Sequence, residues 1–133
     1  MSAFTDISAA LDTLAATLAY PIAWENKDFT PETNTLYLRV TMLPASTEQA
    51  GVIDSDVHIG IYQIDVIAPM GVGKGEAMEA ADIVADKFTR DQVIIENGVK
   101  VWILSTSRAK GMRSESWYIL PIEVRFKAFT DIR

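Results

Sequence analysis

The chain has 133 residues, of which 49% are hydrophobic and 23% are charged, and this composition is typical of one folded globular domain. Its net charge of −6 argues against a protein that grips nucleic acid, because such proteins carry a basic surface. Cysteine is absent, and no signal peptide or membrane-spanning apolar run is evident, so we expect a soluble protein made in the cytoplasm, without disulfides or thiolate metal sites.

The first half of the sequence predicts one helix and two strands. Apolar residues recur at helical spacing over residues 4–20, which predicts an amphipathic helix. Residues 22–35 predict a loop whose aromatic side chains cover an edge of the core. Alternating apolar and polar residues predict half-buried strands at 36–43 and 59–69, and a single excursion between them favours antiparallel neighbours.

The second half predicts another helix and three strands. Residues 77–88 carry an alanine-rich apolar side, and Asn97-Gly98 between two apolar runs is a strong signal for a tight β-hairpin. A last strand is predicted over 116–129. Within it Pro121 has no N–H to donate, which predicts an edge position or a bulge.

Together these elements predict a single α+β domain over residues 1–133. Their order is α-β-β-α-β-β-β, with one mainly antiparallel mixed sheet packed against two helices. Two polar segments, 44–58 and 105–115, interrupt the pattern and are predicted to be extended loop or hairpin arms.

A glycine-rich segment, GVGKGE, lies between the second strand and the second helix, where phosphate-binding loops occur. Ala68 stands where a P-loop needs glycine, and Gly75 stands where it needs serine or threonine. Glu76 replaces the third glycine of the dinucleotide fingerprint, and its charge would repel a pyrophosphate. The segment therefore predicts a flexible corner, with Glu76 near the positive end of the helix.

One short segment, DSDVH, suggests metal chemistry. On an extended strand Asp54, Asp56 and His58 share one face, and two carboxylates with an imidazole can hold a divalent cation. No second ligand cluster is evident, and a solvated acidic loop flank is the simpler interpretation. We therefore expect no cofactor and no catalytic residue, with this triplet kept as the candidate for a metal-dependent enzyme.

The second predicted helix carries three acidic residues about one turn apart, Glu79, Asp82 and Asp86. Like charges at this spacing are usually a solvated face rather than an acid/base pair. We predict no catalytic role for them.

The two polar arms carry opposite charge. Complementary patches on one molecule favour a head-to-tail contact between copies, whereas two ordinary solvated loops remain the alternative. The residues predicted to contact other subunits or partners are Glu48, Asp54, Asp56, Arg108, Lys110 and Arg113.

Three segments in order, LRVTMLPASTEQ, GIYQIDVIAPMGVGKGEA and WYILPIEVRFKAF, resemble the tail terminator-like proteins of long-tailed bacteriophages. The resemblance extends over nearly the whole chain. It implies a small α/β domain that is a structural virion protein of the tail, without catalytic residues or cofactors.

The same resemblance implies the partners. Such proteins form a hexameric ring on the head-proximal end of the tail tube, stop its polymerisation, and offer the surface that joins the head connector. DNA passes through the ring without specific binding, and an acidic lumen that repels phosphate would let it slide. No membrane is involved. The sequence leaves open whether the isolated protein is a monomer, and whether it is another head-tail joining or minor tail protein.

Overall fold

The computed structural model describes residues 3–25, 27, 29–31, 35–44, 57–70, 74–96, 98–114 and 117–129. Within these residues the chain forms two helices, α1 (Ala3–Ala15) and α2 (Lys74–Lys87). The strands are β1 (Ile22–Ala23), β2 (Tyr37–Pro44), β3 (Val57–Pro69), β4 (Val93–Glu96), β5 (Val99–Arg108), β6 (Met112–Ser114) and β7 (Trp117–Phe129).

The strands form one mixed sheet in the order β1-β2-β3-β7-β5-β4, with β6 also paired to β7. Only the short β1–β2 pair is parallel among the described strands. The predicted α+β fold is confirmed, as is the predicted order of the main elements. Two short strands, β1 and β6, were not predicted.

Both helices pack on the same face of the sheet, here called the inner face. Alternate residues of the long strands point toward the helices and are buried. The predicted apolar sides of both helices meet them in one continuous core. The fully buried members of this core other than alanine are Ile7, Leu11, Leu38, Tyr62, Ile64, Val66, Val84, Phe88, Val101, Ile103, Ile122, Val124 and Phe126.

The prediction of a polar arm over residues 105–115 was wrong for most of that segment. Residues 105–108 continue β5, and Met112–Ser114 form β6, so both pair with β7. The sequence pattern did not reveal these strands, because the apolar alternation of β5 stops at a bulge between Ile103 and Ser105 and the residues beyond it are polar. The polar segment is therefore an extension of the sheet.

Pro121 lies in the centre of the sheet, opposite Asp65 of β3. Its carbonyl accepts the N–H of Ala109 at 2.9 Å, and Ala109 lies in the short segment between β5 and β6. The nitrogen and the carbonyl of one residue point to the same side of an antiparallel strand, so the Pro121 nitrogen also faces this segment. The missing N–H thus faces an interruption of the ladder, which explains how a proline is tolerated in a central strand.

Helix α1 ends earlier than predicted. Its regular hydrogen bonding gives way to a tighter turn in which Leu18 N–H donates to the Ala15 carbonyl at 3.0 Å. Leu18 is nevertheless buried, so the apolar periodicity continued past the end of the helix.

In the described part of the chain, neither helix has the length and apolar character needed to cross a membrane.

A close approach between β3 and β7 requires glycine at position 60. Gly60 lies directly opposite Phe126, whose ring is fully buried. A Cβ atom at position 60 would lie 2.8 Å from the Phe126 Cζ atom and 3.1 Å from the Leu43 carbonyl oxygen. By contrast, a Cβ atom at Gly75 in α2 would meet nothing within 4 Å.

These two glycines give a matched pair of substitutions. We expect Gly60→Ala to lower the free energy of unfolding by about 1–3 kcal/mol, because the Phe126 ring must move within a packed core. We expect Gly75→Ala to be neutral or to stabilise by up to about 1 kcal/mol, because alanine favours a helix. Urea unfolding of both variants checks this, and equal midpoints would contradict the close packing at position 60.

Candidate interaction surfaces

The predicted basic contact residues follow one edge of β7. Arg108 ends β5, and Arg113 lies in β6, where it pairs across the strands with Tyr118. Lys110 lies between these two strands, and all three basic side chains are exposed. The structure therefore places the three basic residues along the same side of β7, where the partners of Arg108 and Arg113 are four positions apart. The acidic residues predicted to complement them lie outside the described residues: Glu48, Asp54 and Asp56.

One of the basic residues contacts a carboxylate of its own chain. The Arg108 guanidinium donates to Oδ1 of Asp82 in α2. Both side chains stay largely exposed, at 40% and 61%, so water screens the pair and it contributes little to stability. Asp82 is thus partly paired, whereas the sequence pattern predicted a wholly solvated carboxylate.

The candidate metal triplet falls mostly outside the described residues. Asp54 and Asp56 are not among them, whereas His58 lies in β3 opposite Ala128. The His58 side chain is on the inner face and is 9% exposed. Among the described residues, no three His, Cys, Asp or Glu side chains are grouped closely enough to hold a metal ion.

The glycine-rich segment leads into α2 as predicted. The helix begins at Lys74, and Glu76 lies in its first turn, where a negative charge is favoured by the helix dipole. Gly75 and Glu76 are exposed. These positions agree with a strand-to-helix corner, although residues 71–73 lie outside the described residues.

The sheet face opposite the helices, here called the outer face, is covered at one end by aromatic rings. Phe29, from the segment before β2, lies 4.8 Å from Tyr37 between ring centroids, and Tyr37 meets Trp117 edge-on at 5.5 Å. Ile67, the cross-strand neighbour of Tyr37, is 2% exposed. Phe29 therefore covers part of the outer face, whereas the sequence predicted that the aromatics of this loop cover an edge of the core; Trp24, the other aromatic of the loop, does pack against the core.

A buried carboxylate borders this covered end. The Asp65 side chain is 5% exposed, and its Oδ2 atom accepts hydrogen bonds from Arg39 Nη2 at 2.8 Å and Nε at 3.1 Å. Gln63 Nε2 donates to the other oxygen at 2.9 Å. Each carboxylate oxygen therefore has a donor, which a buried charge requires.

The other end of the outer face is exposed and combines apolar with basic side chains. The register places Ile59, Lys127, Trp102 and Val93 side by side across β3, β7, β5 and β4. Trp102 is 38% exposed and Val93 is 44% exposed. We call this surface the basic sheet face; its members are Ile59, Ile61, Val93, Ile95, Lys100, Trp102, Arg125 and Lys127.

The solvent side of α2 is acidic and also carries large apolar residues. Met78 and Ile83 are 46% and 41% exposed, and Glu79, Asp82 and Asp86 lie beside them at helical spacing. We call these five residues the acidic helix face. Since α2 covers the inner face, the acidic helix face and the basic sheet face lie on opposite sides of the domain.

A cleft of about 910 Å³ opens beside α1, between that helix and the residues around β1 and β2. Asp12 lies in its wall, together with Trp24 and Glu25. Tyr62 is only 1% exposed, and its hydroxyl donates a hydrogen bond to Asp12 Oδ1. A core tyrosine and a helix carboxylate thus join the sheet to α1.

Burial raises the pKa of Asp12, the hydrogen bond from Tyr62 lowers it, and the nearby charge of Glu25 raises it again. The net effect is a raised pKa. Burial and then the charge of Asp12 raise the pKa of Tyr62, so its hydroxyl keeps its proton and remains a donor.

The fold and its surfaces define a small α+β domain with helices on one face of a mixed sheet. A family model described as phage tail terminator protein matches residues 5–126. The chain therefore belongs to the phage tail terminator family, and it is a structural component of a phage tail.

Solved structures support the same fold. One of them, of a protein whose name states no function, has a TM-score of 0.75 and 26% identity, with 96% of each chain covered. Among the curated proteins, none matches this sequence at a significant level.

Tyr62→Phe should destabilise the protein in a pH-dependent way. At neutral pH we expect a loss of about 1–3 kcal/mol in the free energy of unfolding, because a half-buried carboxylate loses its donor. The raised pKa of Asp12 means that its stabilising contribution is present in acid and is lost as pH rises through the folded value. Removing the Tyr62 hydroxyl raises the pKa of Asp12 further. The difference in unfolding free energy between the natural protein and Tyr62→Phe should therefore grow as the pH rises.

Urea unfolding at several pH values measures this deficit. The control is the same comparison in an Asp12→Asn background, where the group that titrates is absent and the deficit should not grow. A deficit independent of pH in both backgrounds would show that the hydroxyl acts on something other than Asp12.

Arg39→Leu should cost about 2–3 kcal/mol of unfolding free energy, because it leaves the buried Asp65 carboxylate with only Gln63 as a donor. Replacing both partners, Arg39→Leu with Asp65→Leu, should recover most of the loss, since an apolar pair leaves no unsatisfied charge. Thermal or urea unfolding compares the two. If the double variant is no more stable than the single one, the ion pair is not the cause.

Proposed function

We propose that this protein caps the head-proximal end of the phage tail tube as a ring, stops tube polymerisation, and provides the surface to which the head is joined. The observation that carries the proposal is the family match, which extends over residues 5–126 and so includes the whole sheet except its last three residues and both helices except the first two residues of α1. In the family such a role is carried out by assembly rather than by chemistry.

The charge distribution supports a ring. Identical copies that join through two different surfaces make a head-to-tail contact, and such contacts close into a ring when the rotation permits. A basic sheet face and an acidic helix face on opposite sides of one domain are suitable surfaces for this arrangement. The proposed ring is hexameric, by resemblance to the family.

The proposed partners are the tail tube protein on one side of the ring and the head connector on the other. DNA would pass through the ring without specific binding. The net charge of −6 supports this, because an acidic lining repels phosphate and lets the duplex slide.

Tail length tests the proposal. We expect deletion of the gene from the phage or prophage that carries it to give overlong tubes without heads, because nothing then stops polymerisation. Negative-stain electron microscopy measures the tubes, and supplying the gene in trans should restore a fixed length. A matched control supplies the Gly75→Ala variant, whose surface change is confined to one exposed helix position.

Other outcomes identify other functions. Tails of fixed length that fail to attach to heads would mean a joining protein, which is the alternative within the same class. Infectious particles of ordinary length would contradict a role in either step.

A further inference from the structure

The basic sheet face has the composition of a protein contact rather than of an ordinary solvated surface. Trp102 and Val93 lie side by side in the register, and Ile95 beyond them is 66% exposed. Large apolar side chains grouped on one exposed sheet face are unusual in a protein that stays alone in water. A hydrogen bond from Trp102 Nε1 to Asp91 Oδ1, at 3.2 Å, holds the indole in place.

Its positive charges are available to a partner. Among the described residues, neither Lys100 nor Lys127 forms an ion pair with a carboxylate. Lys127 lies over the ring of Phe129, with 5.6 Å between Nζ and the ring centroid. Arg125 has only a 3.5 Å contact with Glu123, and its side chain is 54% exposed, so this pair is weak.

The acidic helix face offers the complement. Met78 and Ile83 project from α2 with more than two fifths of their surface exposed, and the helical spacing places Glu79 and Asp86 between them. This acidic stripe with apolar edges complements the basic sheet face in two respects: both carry apolar surface that docking would remove from water, and their charges are opposite.

We propose that the acidic helix face of one copy docks on the basic sheet face of the next copy. The inference rests on the proposed ring and specifies its subunit contact. The two faces belong to opposite layers of the domain, with the carboxylates of α2 directed away from the sheet; only at the rim do they approach, where Ile83 lines a pocket with Gln92, the residue before Val93. The contact is therefore head-to-tail, and each copy uses one face for each neighbour.

Disulfide trapping tests the contact directly, since the sequence has no cysteine and any introduced pair acts against a clean background. Met78→Cys combined with Val93→Cys places one thiol on each face. Met78 lies on the flank of α2 away from Ile83, which lines a pocket with Gln92. We expect a ladder of covalent oligomers on non-reducing gels, both with the purified protein and with purified tails. Either single variant can give nothing larger than a dimer.

The matched control combines Met78→Cys with Met112→Cys. Met112 also lies on the outer face of the sheet and is 53% exposed, but it is not a member of the basic sheet face. This pair should give little or no ladder. A ladder of equal intensity from both pairs, or no ladder from either pair in solution and in tails, would overturn the proposal.

Charge reversal provides a second test. One variant carries Lys100→Glu and Lys127→Glu, and the other carries Glu79→Lys and Asp86→Lys. Each reversal is combined with the two cysteines of the trapping pair. Each variant alone should form the ladder at least about tenfold more slowly than the double-cysteine protein without charge reversal, because like charges then face each other. An equal mixture should recover, since each reversed face now meets its opposite on the other variant. Unfolding midpoints confirm that both variants fold.

The outcomes separate this contact from the proposed function. Overlong tails on gene deletion, with no recovery in the mixed reversal, would overturn the contact and leave the terminator function standing. If the mixed charge-reversal variants recover the ladder but deletion of the gene leaves tails of ordinary length, the contact stands and the terminator function is overturned. If neutral replacements of Glu48, Asp54 and Asp56 remove the ladder while the α2 reversal does not, the acidic arm is the occupant and the proposal fails.

Discussion

The pairing of β3 with β7 is the constraint on which the rest of the molecule depends. The two strands pair without interruption over thirteen residues each, from the Val57–Phe129 pair to the Pro69–Trp117 pair. Because side chains alternate, a shift of one residue would turn every core residue of a strand toward solvent. This register therefore fixes the inner and outer faces for the whole sheet, and both helices, β2 and β5 are positioned against it.

Covering only one face with helices has a chemical consequence. The inner face buries a continuous apolar core, whereas the outer face must either be covered by other segments or remain in contact with water or a partner. At one end Phe29 and its aromatic neighbours cover it, and the buried Asp65 is balanced there by Arg39. At the other end Trp102 stays exposed among lysines. The two ends of one sheet thus carry different chemistry.

Periodicity predicted the elements that bury one face, and it failed where burial does not follow the period. The helices and the strands around Tyr62 and Val124 follow their patterns, and the hairpin at Gly98 has the positive φ of 80° that its turn requires. β1 is only two residues long and has no period to detect. Residues 105–114 join the sheet through backbone pairing with polar side chains, which hydrophobic patterns cannot reveal.

The surfaces were harder to predict than the fold for a related reason. Charges in a loop are visible as neighbours in the sequence, whereas the basic sheet face gathers Ile59, Val93, Trp102 and Lys127 from distant positions that only strand order and register bring together. Its exposed ion pairs would each contribute under about 1 kcal/mol, so the apolar residues must supply most of the affinity. Two free copies would then associate weakly. A closed ring, in which every copy uses both faces at once, would be much more stable than a pair, and a tube end that aligns the copies would favour its formation there.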